Sequence, residues 1–480
     1  MPAGERAAAE GGARLAATAV IIAHFAAPFM FSGVAVALPA LGAELRAGAS
    51  ALGLIETLFL AGSVAFLLPV GRLADVSDRR ALYRGGLLLF GAASLGIAAS
   101  SSVALILALR LVQGIAAAVI SGTGPAILAD VVAPARRGRA YGAAIGVTYA
   151  GLSFGPLVGG LLVDHLGWRA VFVVGAGGLL AAWLLVRRLL PSRWRRPPRG
   201  AVHLPSVGLV VASVLALVFG SASVDAPQLG ASLMVAGLLL AALFVALQRR
   251  LDRPLLDVDA LVGNLALRRA LLVQALLYMH AYAAMFLLSI YLQVALGRSA
   301  ATAGQILALG SVLMAVGAPI AGALADRLRP ALLASVGVAG VLLSALLGRL
   351  LGPDSSVGLA IAALAAQGLG FALFSSPNMK TIMNSVPAAA IGGASALGAK
   401  SRSLGMICGM MATAVLVALS VGDAPVGDAP ERFLAAMRAA YTILTVSAAL
   451  ALIIALRGVL GRAAEGAAAA AADGRPPPEA

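Results

Sequence analysis

Apolar runs of about 20 residues alternate along the whole chain with short polar breaks, and arginine, proline and glycine gather in the breaks. Fourteen such runs are legible, at 15–41, 51–71, 81–99, 103–130, 138–163, 168–190, 204–222, 229–248, 269–295, 302–324, 330–350, 357–379, 391–420 and 437–457. A helix of that length rises far enough to cross a hydrocarbon core of about 30 Å. None of the runs shows the ten-residue alternation of a membrane barrel, so the pattern predicts an all-α integral membrane protein with fourteen transmembrane helices. The first run has no small-residue cleavage site and is followed at once by another span, so it reads as a retained helix rather than a signal peptide.

A weak internal repeat divides the series. Gly71-Arg-Leu-Ala-Asp75-Val-Ser-Asp78-Arg79-Arg80 ends span 2, and Gly322-Ala-Leu-Ala-Asp326-Arg327-Leu-Arg329 ends span 10. If spans 7 and 8 are an insertion, span 10 becomes the second helix of a second bundle. The expected organisation is therefore a tail at 1–13, a six-helix bundle at 14–190, linkers and two extra helices at 191–268, a second six-helix bundle at 269–458, and a tail at 459–480. The Ala/Gly/Pro/Glu tails read as disordered. Parallel repeats of this kind place a substrate site between the halves near mid-membrane.

Composition narrows the function. At 61% hydrophobic and 11% charged residues, the chain is built for lipid. The net charge of +15 is carried by arginines in short turns, such as Arg136-Arg137-x-Arg139 and Arg193 to Arg199, and not by a basic soluble domain, so nucleic acid is not the expected partner. Most of these arginines fall on one side of the predicted topology, which sets both termini in the cytoplasm of a multi-pass protein of the inner (plasma) membrane. The single cysteine, Cys408, allows no intramolecular disulfide and reads as a packing residue. No P-loop, zinc motif or catalytic triad is present, which argues against ATP-driven transport by this chain alone, against an enzyme, and against any cofactor or metal. The expected partners are a small-molecule substrate, protons and the lipid bilayer, with the chain acting as a monomer.

The most specific stretch is Gly142-x8-Gly151-x3-Gly155-Pro156-x2-Gly159-Gly160, inside span 5. Glycines four apart share a helix face and admit a neighbouring backbone, and the proline removes a hydrogen bond and bends the helix. This stretch resembles the antiporter motif in the fifth helix of major facilitator superfamily exporters, and it is expected to form a tight contact between the bundles. Gly71 to Arg80 resembles that superfamily's loop motif between helices 2 and 3, with Asp78 in place of a usual glycine. Arg110-Leu-Val-Gln113-Gly114 is similar to the fourth-helix motif, and Ala37-Leu38-Pro39 to the end of the first helix. With Gly167-Trp168-Arg169, Pro254-Leu255-Leu256-Asp257, Tyr291-Leu292-Gln293 and Pro377-Asn378 in order, the chain resembles the fourteen-helix drug:proton antiporter family. That resemblance implies export of drugs, dyes, antibiotics or metabolites against inward proton flow.

One departure matters. Where family members often carry an acid in the first helix, this chain has Met30, so proton coupling must rest elsewhere. The ionisable residues placed within spans are His24, Glu56, Arg110, His280, Lys400 and Arg402, and only Glu56 is a carboxylate. Counted from the Asp75 and Asp130 ends of their helices, Glu56 and Arg110 share a height of about 28–30 Å. Two readings stand for Glu56: a proton-carrying pair with Arg110, or an ordinary interfacial carboxylate. Asp75, Asp130, Arg79 and Arg80 form either a cytoplasmic gating relay with the Arg136–Arg139 turn or a static surface network. Lys400 and Arg402 lie too deep to snorkel easily and either line the cavity or pair with Asn378 or Asn384. With Met30, Gln113, Tyr291, Gln293 and Asn378 they make up the candidate substrate cavity, and an excess of buried cations favours an anionic or neutral amphipathic substrate. His24 and His280 read as hydrogen-bonded helix residues or as proton relays. Met406, Met410 and Met411 read as core filling. A proton-coupled uptake symporter and a transporter-like sensor without turnover are the competing functions.

Overall fold

The computed structural model describes residues 3–132, 137–189, 202–252, 254–256, 258–387, 391–422 and 424–472, which form helices and short turns with no strand among them. In chain order the helices are α1 (Ala3–Leu45), α2 (Ala49–Val76), α3 (Arg79–Ala99), α4 (Val103–Val131), α5 (Arg137–Leu166), α6 (Arg169–Leu189), α7 (Leu204–Ala222), α8 (Pro227–Gln248), α9 (Val258–Gly263), α10 (Leu265–Ile290), α11 (Ala300–Leu324), α12 (Pro330–Arg349), α13 (Val357–Asn384), α14 (Ile391–Val421) and α15 (Pro430–Ala472). All but α9 contain a stretch long and apolar enough to cross a membrane, fourteen in total. The helices α1 and α15 run into the segments read as tails, although the membrane-length parts are Leu15–Leu45 and Pro430–Val459. The 191–201 linker and Arg136 lie outside the described residues, as do the side chains of Arg137 and Arg139.

Local chemistry sets the breaks. Asp78 accepts from the backbone N–H of Arg80 and Ala81 and so caps α3; Ser102, Asn264 and Ser299 cap α4, α10 and α11 in the same way. The usual glycine is not required at Asp78, whose φ of −70° is ordinary for any residue. Gly167, at φ +81°, turns the chain from α5 into α6, a conformation that a side chain would strain. Beyond Ile290, α10 ends in a π-helical turn, Tyr291–Ala295.

Helices α1 to α6 pack as one bundle and α10 to α15 as another, while α7 and α8 pack on each other and α7 lies beside α2 and α14. Large apolar side chains such as Leu238, Leu239, Val316 and Ile320 remain exposed on the outer surface, as a lipid-facing wall requires. Cys408 is also exposed, which corrects its reading as a packing residue: α14 turns this position away from its neighbours.

The bundles meet along α2 with α14, α5 with α11, and α1 with α10. Among the described residues, the hydrogen bonds that cross between them cluster at the end away from Arg79, Arg80, Arg327 and Arg329. Ser289 Oγ donates to the Ala35 carbonyl at 2.7 Å, Gln293 Nε2 to that of Val36 at 3.1 Å, and the backbone N–H of Ala49 to the Ala424 carbonyl at 3.2 Å. Both oxygens of Asp164 accept from the first N–H groups of α11, Ala300 and Ala301, at 3.1 and 3.0 Å, so a carboxylate of one bundle caps a helix of the other. These contacts seal that end.

The glycines of α5 divide their work differently from the expected inter-bundle contact. A side chain at Gly151 would strike the Phe25 carbonyl, one at Gly155 would strike Ser32 and the Phe29 carbonyl, and one at Gly159 would meet Gly33. All three therefore hold α5 against α1, inside the same bundle. Only the far end of the motif crosses over: Gly160 abuts the Ala300 carbonyl, and the Pro156 carbonyl abuts Gly304 of α11. The helical period explains the split, because Gly151, Gly155 and Gly159 recur every four residues on one face while Pro156 and Gly160 form the adjacent one.

Candidate functional site: a buried ion pair in the first bundle

The first bundle encloses a polar centre seven residues inside α2 and α4. Backbone contact makes it possible: a side chain at Gly114 would strike the Phe59 carbonyl, and one at Gly62 would meet the Leu111 carbonyl and the Ile115 nitrogen. Held that close, Arg110 reaches across α4 to α2 with all three guanidinium nitrogens donating. Nε donates to the Ile55 carbonyl, Nη1 to Gln113 Oε1 and Nη2 to Glu56 Oε2, each at 3.0 Å. Its plane lies 4.6 Å from the centre of the Phe59 ring. Arg110 and Glu56 are both fully shielded, with side-chain exposures of 0%. Glu56 is thus no interfacial carboxylate. Removing one member of such a pair strands the other charge in an apolar site, at a cost of about 3–5 kcal/mol.

The network extends on both sides. Gln113 Nε2 donates to Ser94 Oγ at 2.8 Å and to Met30 Sδ at 3.3 Å, so the first-helix position without an acid closes the network with a thioether. From the second bundle, the Tyr282 hydroxyl of α10 lies 2.8 Å from Glu56 Oε2 and 2.9 Å from the Phe31 carbonyl. The Tyr282 and Phe31 rings stack with centroids 4.1 Å apart. Glu56 Oε1 is buried without a partner. The carboxyl group therefore has one bonded and one unbonded oxygen and is touched by both bundles.

Among the described residues, the second bundle's interior is polar but holds no ion pair. His280 Nε2 lies 3.1 Å from Ser344 Oγ, while Asn378 Nδ2 donates to Gln274 Oε1 at 2.9 Å. His24, in α1, has Nδ1 2.9 Å from the Val20 carbonyl, the arrangement of a hydrogen-bonded helix histidine. The guanidinium of Arg402 lies 5.8 Å from the centre of the Tyr278 ring, and among the described residues no hydrogen bond joins Lys400 or Arg402 to Asn378 or Asn384. Lys400, Ile407 and Ala414 are spaced by seven residues on α14, and Ala414 abuts Gly53 of α2, so Lys400 belongs to the face that meets the first bundle.

At the arginine-rich end, Arg79 donates through Nη2 to Asp75 at 3.0 Å and through Nη1 to Asp130 at 3.5 Å, tying the α2–α3 turn to α4. Gly71 has open space around it there, and Arg80 flanks the turn. The repeat-related Asp326 pairs instead with Lys380 of α13, at 2.6 Å. At the opposite end, Trp168 and Arg169 both donate to Glu44, and the Arg169 guanidinium lies 4.3 Å from the Trp168 ring.

The seven residues read as a substrate cavity are not gathered in one place. Met30 and Gln113 are sealed in the first bundle's network, and Tyr291 donates to the Gly352 carbonyl at 2.8 Å. Gln293 joins the seal between the bundles. Asn378 borders a crevice of about 200 Å³ within the second bundle, together with Arg269, Thr381 and Val273. Residue counting sets the height of a group in a helix but not its azimuth, and these seven share neither. Met410 is fully buried, consistent with core filling, and Met406 and Met411 pack against the same core. Sequence reasoning passed over Tyr282, Ser94, Asp164 and Lys380; the one available signal for Tyr282 was the cluster Tyr278, His280 and Tyr282 in an otherwise apolar span.

Comparison with known proteins agrees with this architecture. The family model of the Major Facilitator Superfamily matches residues 20–256 and 270–479. A tetracenomycin C resistance and export protein of Streptomyces glaucescens is 30% identical over 81% of this chain and 73% of its own length. A puromycin resistance protein of Streptomyces alboniger is 31% identical over 81% of this chain and 78% of its own. The multidrug efflux pump LfrA of Mycolicibacterium smegmatis is 28% identical over 83% and 80%.

Proposed function

Because this chain belongs to the Major Facilitator Superfamily, we propose that it is a proton-coupled exporter of small amphipathic molecules that works by alternating access. The observation that carries this reading is the buried Glu56–Arg110 pair, contacted by both bundles through Tyr282. An ionisable carboxyl is costly at that depth, and one that the opposite bundle touches is placed to link proton uptake to bundle movement. The names of the relatives, which include antibiotic resistance and multidrug efflux proteins, support export over uptake.

Topology follows from the charge asymmetry: the arginine-rich end with both termini faces the cytoplasm, and the sealed end faces outward across the plasma membrane. On that assignment the structure corresponds to a state closed to the outside. Arg79, bound to Asp75 and Asp130, works as a cytoplasmic gating element whose bonds must rearrange when the bundles rock. Lys400 and Arg402, two cations without acidic partners among the described residues, favour an anionic or neutral amphiphile, and Tyr278 beside Arg402 offers an aromatic face to it.

The test is reconstitution in proteoliposomes with an internal pH dye, an imposed proton gradient, and a panel of cationic, neutral and anionic amphiphiles. Proton flux opposite to substrate flux is the expected result, and Glu56→Gln is expected to abolish it. Substrate movement that proceeds without proton flux, or that is unchanged in Glu56→Gln, overturns the reading.

A further inference from the structure

The Tyr282 hydroxyl carries one hydrogen yet faces two acceptors, Glu56 Oε2 at 2.8 Å and the Phe31 carbonyl at 2.9 Å. If Glu56 is ionised, that hydrogen serves only one of them, and the other oxygen pair lies in contact without a proton between. The unpartnered Oε1 is then a carboxylate oxygen in an apolar site, the costly case. A proton on Oε2 completes the arrangement: the Glu56 hydroxyl donates to the Tyr282 oxygen, Tyr282 donates to the Phe31 carbonyl, and Oε1 becomes a neutral carbonyl, which is cheaper to leave unbonded. The completed chain runs from α2 through α10 to α1, across the seam between the bundles.

We propose that Tyr282 is the positioning residue through which a proton on Glu56 closes the seal between the two bundles. The proposal rests on the proton-coupled reading of Glu56 and adds the part that senses the proton. The ionisable groups that act on Glu56 are Arg110 from α4 and Tyr282 from α10; α1, α3, α7 and α14, which also pack on α2, add none among the described residues. With the proton bound, both links, Glu56 to Tyr282 and Tyr282 to Phe31, hold α10 against the first bundle. When it leaves to solvent, one link is lost and the seal beside Ser289 and Gln293 is weakened at its deepest point. Among the described residues no hydrogen bond joins Tyr282 to the guanidinium, whose Nε, Nη1 and Nη2 donate to Ile55, Gln113 and Glu56.

The test uses the full chain in lipid nanodiscs, with Cys408→Ala and spin-labelled cysteines replacing Ser101 and Asp354, exposed residues at the sealed end of the first and second bundles. Distance distributions are recorded from acid to alkaline pH without ligand. In the otherwise native protein, the separated population is expected to grow as pH rises, and Glu56→Gln is expected to stay closed throughout. Tyr282→Phe keeps the ring against Phe31 and removes only the hydroxyl; it is expected to shrink the pH-driven change in the open-to-closed ratio about five-fold, the worth of one net hydrogen bond. Phe31→Leu, which loosens the ring stack but leaves the hydroxyl, is expected to keep the pH response. If Tyr282→Phe follows the native protein in midpoint and amplitude, or if Phe31→Leu loses the response to the same degree, the sensing role is wrong while proton coupling stands. A native protein blind to pH, or a Glu56→Gln protein that still follows it, removes both.

Discussion

The two bundles repeat one architecture and fill it with different chemistry. At mid-height the first holds a fully buried ion pair, Glu56 with Arg110, whereas the second holds neutral contacts, His280 with Ser344 and Asn378 with Gln274. At the arginine-rich end the repeat is inverted in sign. The first bundle places an acid, Asp130, on α4 and bridges it to Asp75 through Arg79; the second places a cation, Lys380, on α13 and pairs it directly with Asp326. A repeated fold thus specifies where polar groups stand and leaves their charge free to diverge. Charge that is costly to bury is concentrated in one bundle, while the other presents its cations, Lys400 and Arg402, without acidic partners among the described residues.

The widest gap between the halves is expected at mid-height. Arg110→Ala breaks the buried Glu56–Arg110 contact and is expected to destabilise the protein by about 3–5 kcal/mol. His280→Gln, which disturbs a neutral hydrogen bond, is expected to cost about 1 kcal/mol. Denaturant unfolding of both variants in the same detergent checks the ratio, and equal losses would mean that the pair carries no special burden. The next contrast lies in the two turns. Arg79→Ala removes the bridge between Asp75 and Asp130 and is expected to lower transport about ten-fold, a coupling of ordinary size for a conformational latch. Lys380→Ala, whose partner Asp326 is 72% exposed, is expected to stay within about two-fold. Initial transport rates at fixed expression distinguish the two. The smallest contrast is in the caps: Asp78 caps α3, but Arg329 at the start of α12 makes no side-chain cap bond. Arg329→Ser is expected to add about 0.5–1 kcal/mol of stability, read by thermal unfolding.

Most of the fold was legible in the sequence because a membrane-length apolar run has few alternatives. The run at 391–420 became Ile391–Val421, and the others shifted where polar residues continue a helix beyond lipid. Thus α15 starts at Pro430, ahead of Glu431 and Arg432, which read as loop, and α9 was hidden in a polar connector. The height shared by Glu56 and Arg110 was equally legible, since rise per residue is fixed. Azimuth was not. Which of the residues on α1, α10, α13 and α14 face one another depends on how far each helix rotates in its bundle, and the proposed cavity set dispersed for that reason. Tyr282 escaped notice because an aromatic residue in an apolar span looks like core, and one of its two partners is a backbone carbonyl that no side-chain pattern records.

The seal between α1 and α10 is chemically one-sided. Its donors are the side chains of Tyr282 and Ser289 on α10 and of Gln293 in the π-helical turn that ends it, and its acceptors on α1 are the carbonyls of Phe31, Ala35 and Val36. Carbonyls are present whatever residue occupies those positions. The seal therefore has a genetic polarity: α1 can drift in sequence at these three positions without losing an acceptor, whereas each donor on α10 is erased by a single codon change.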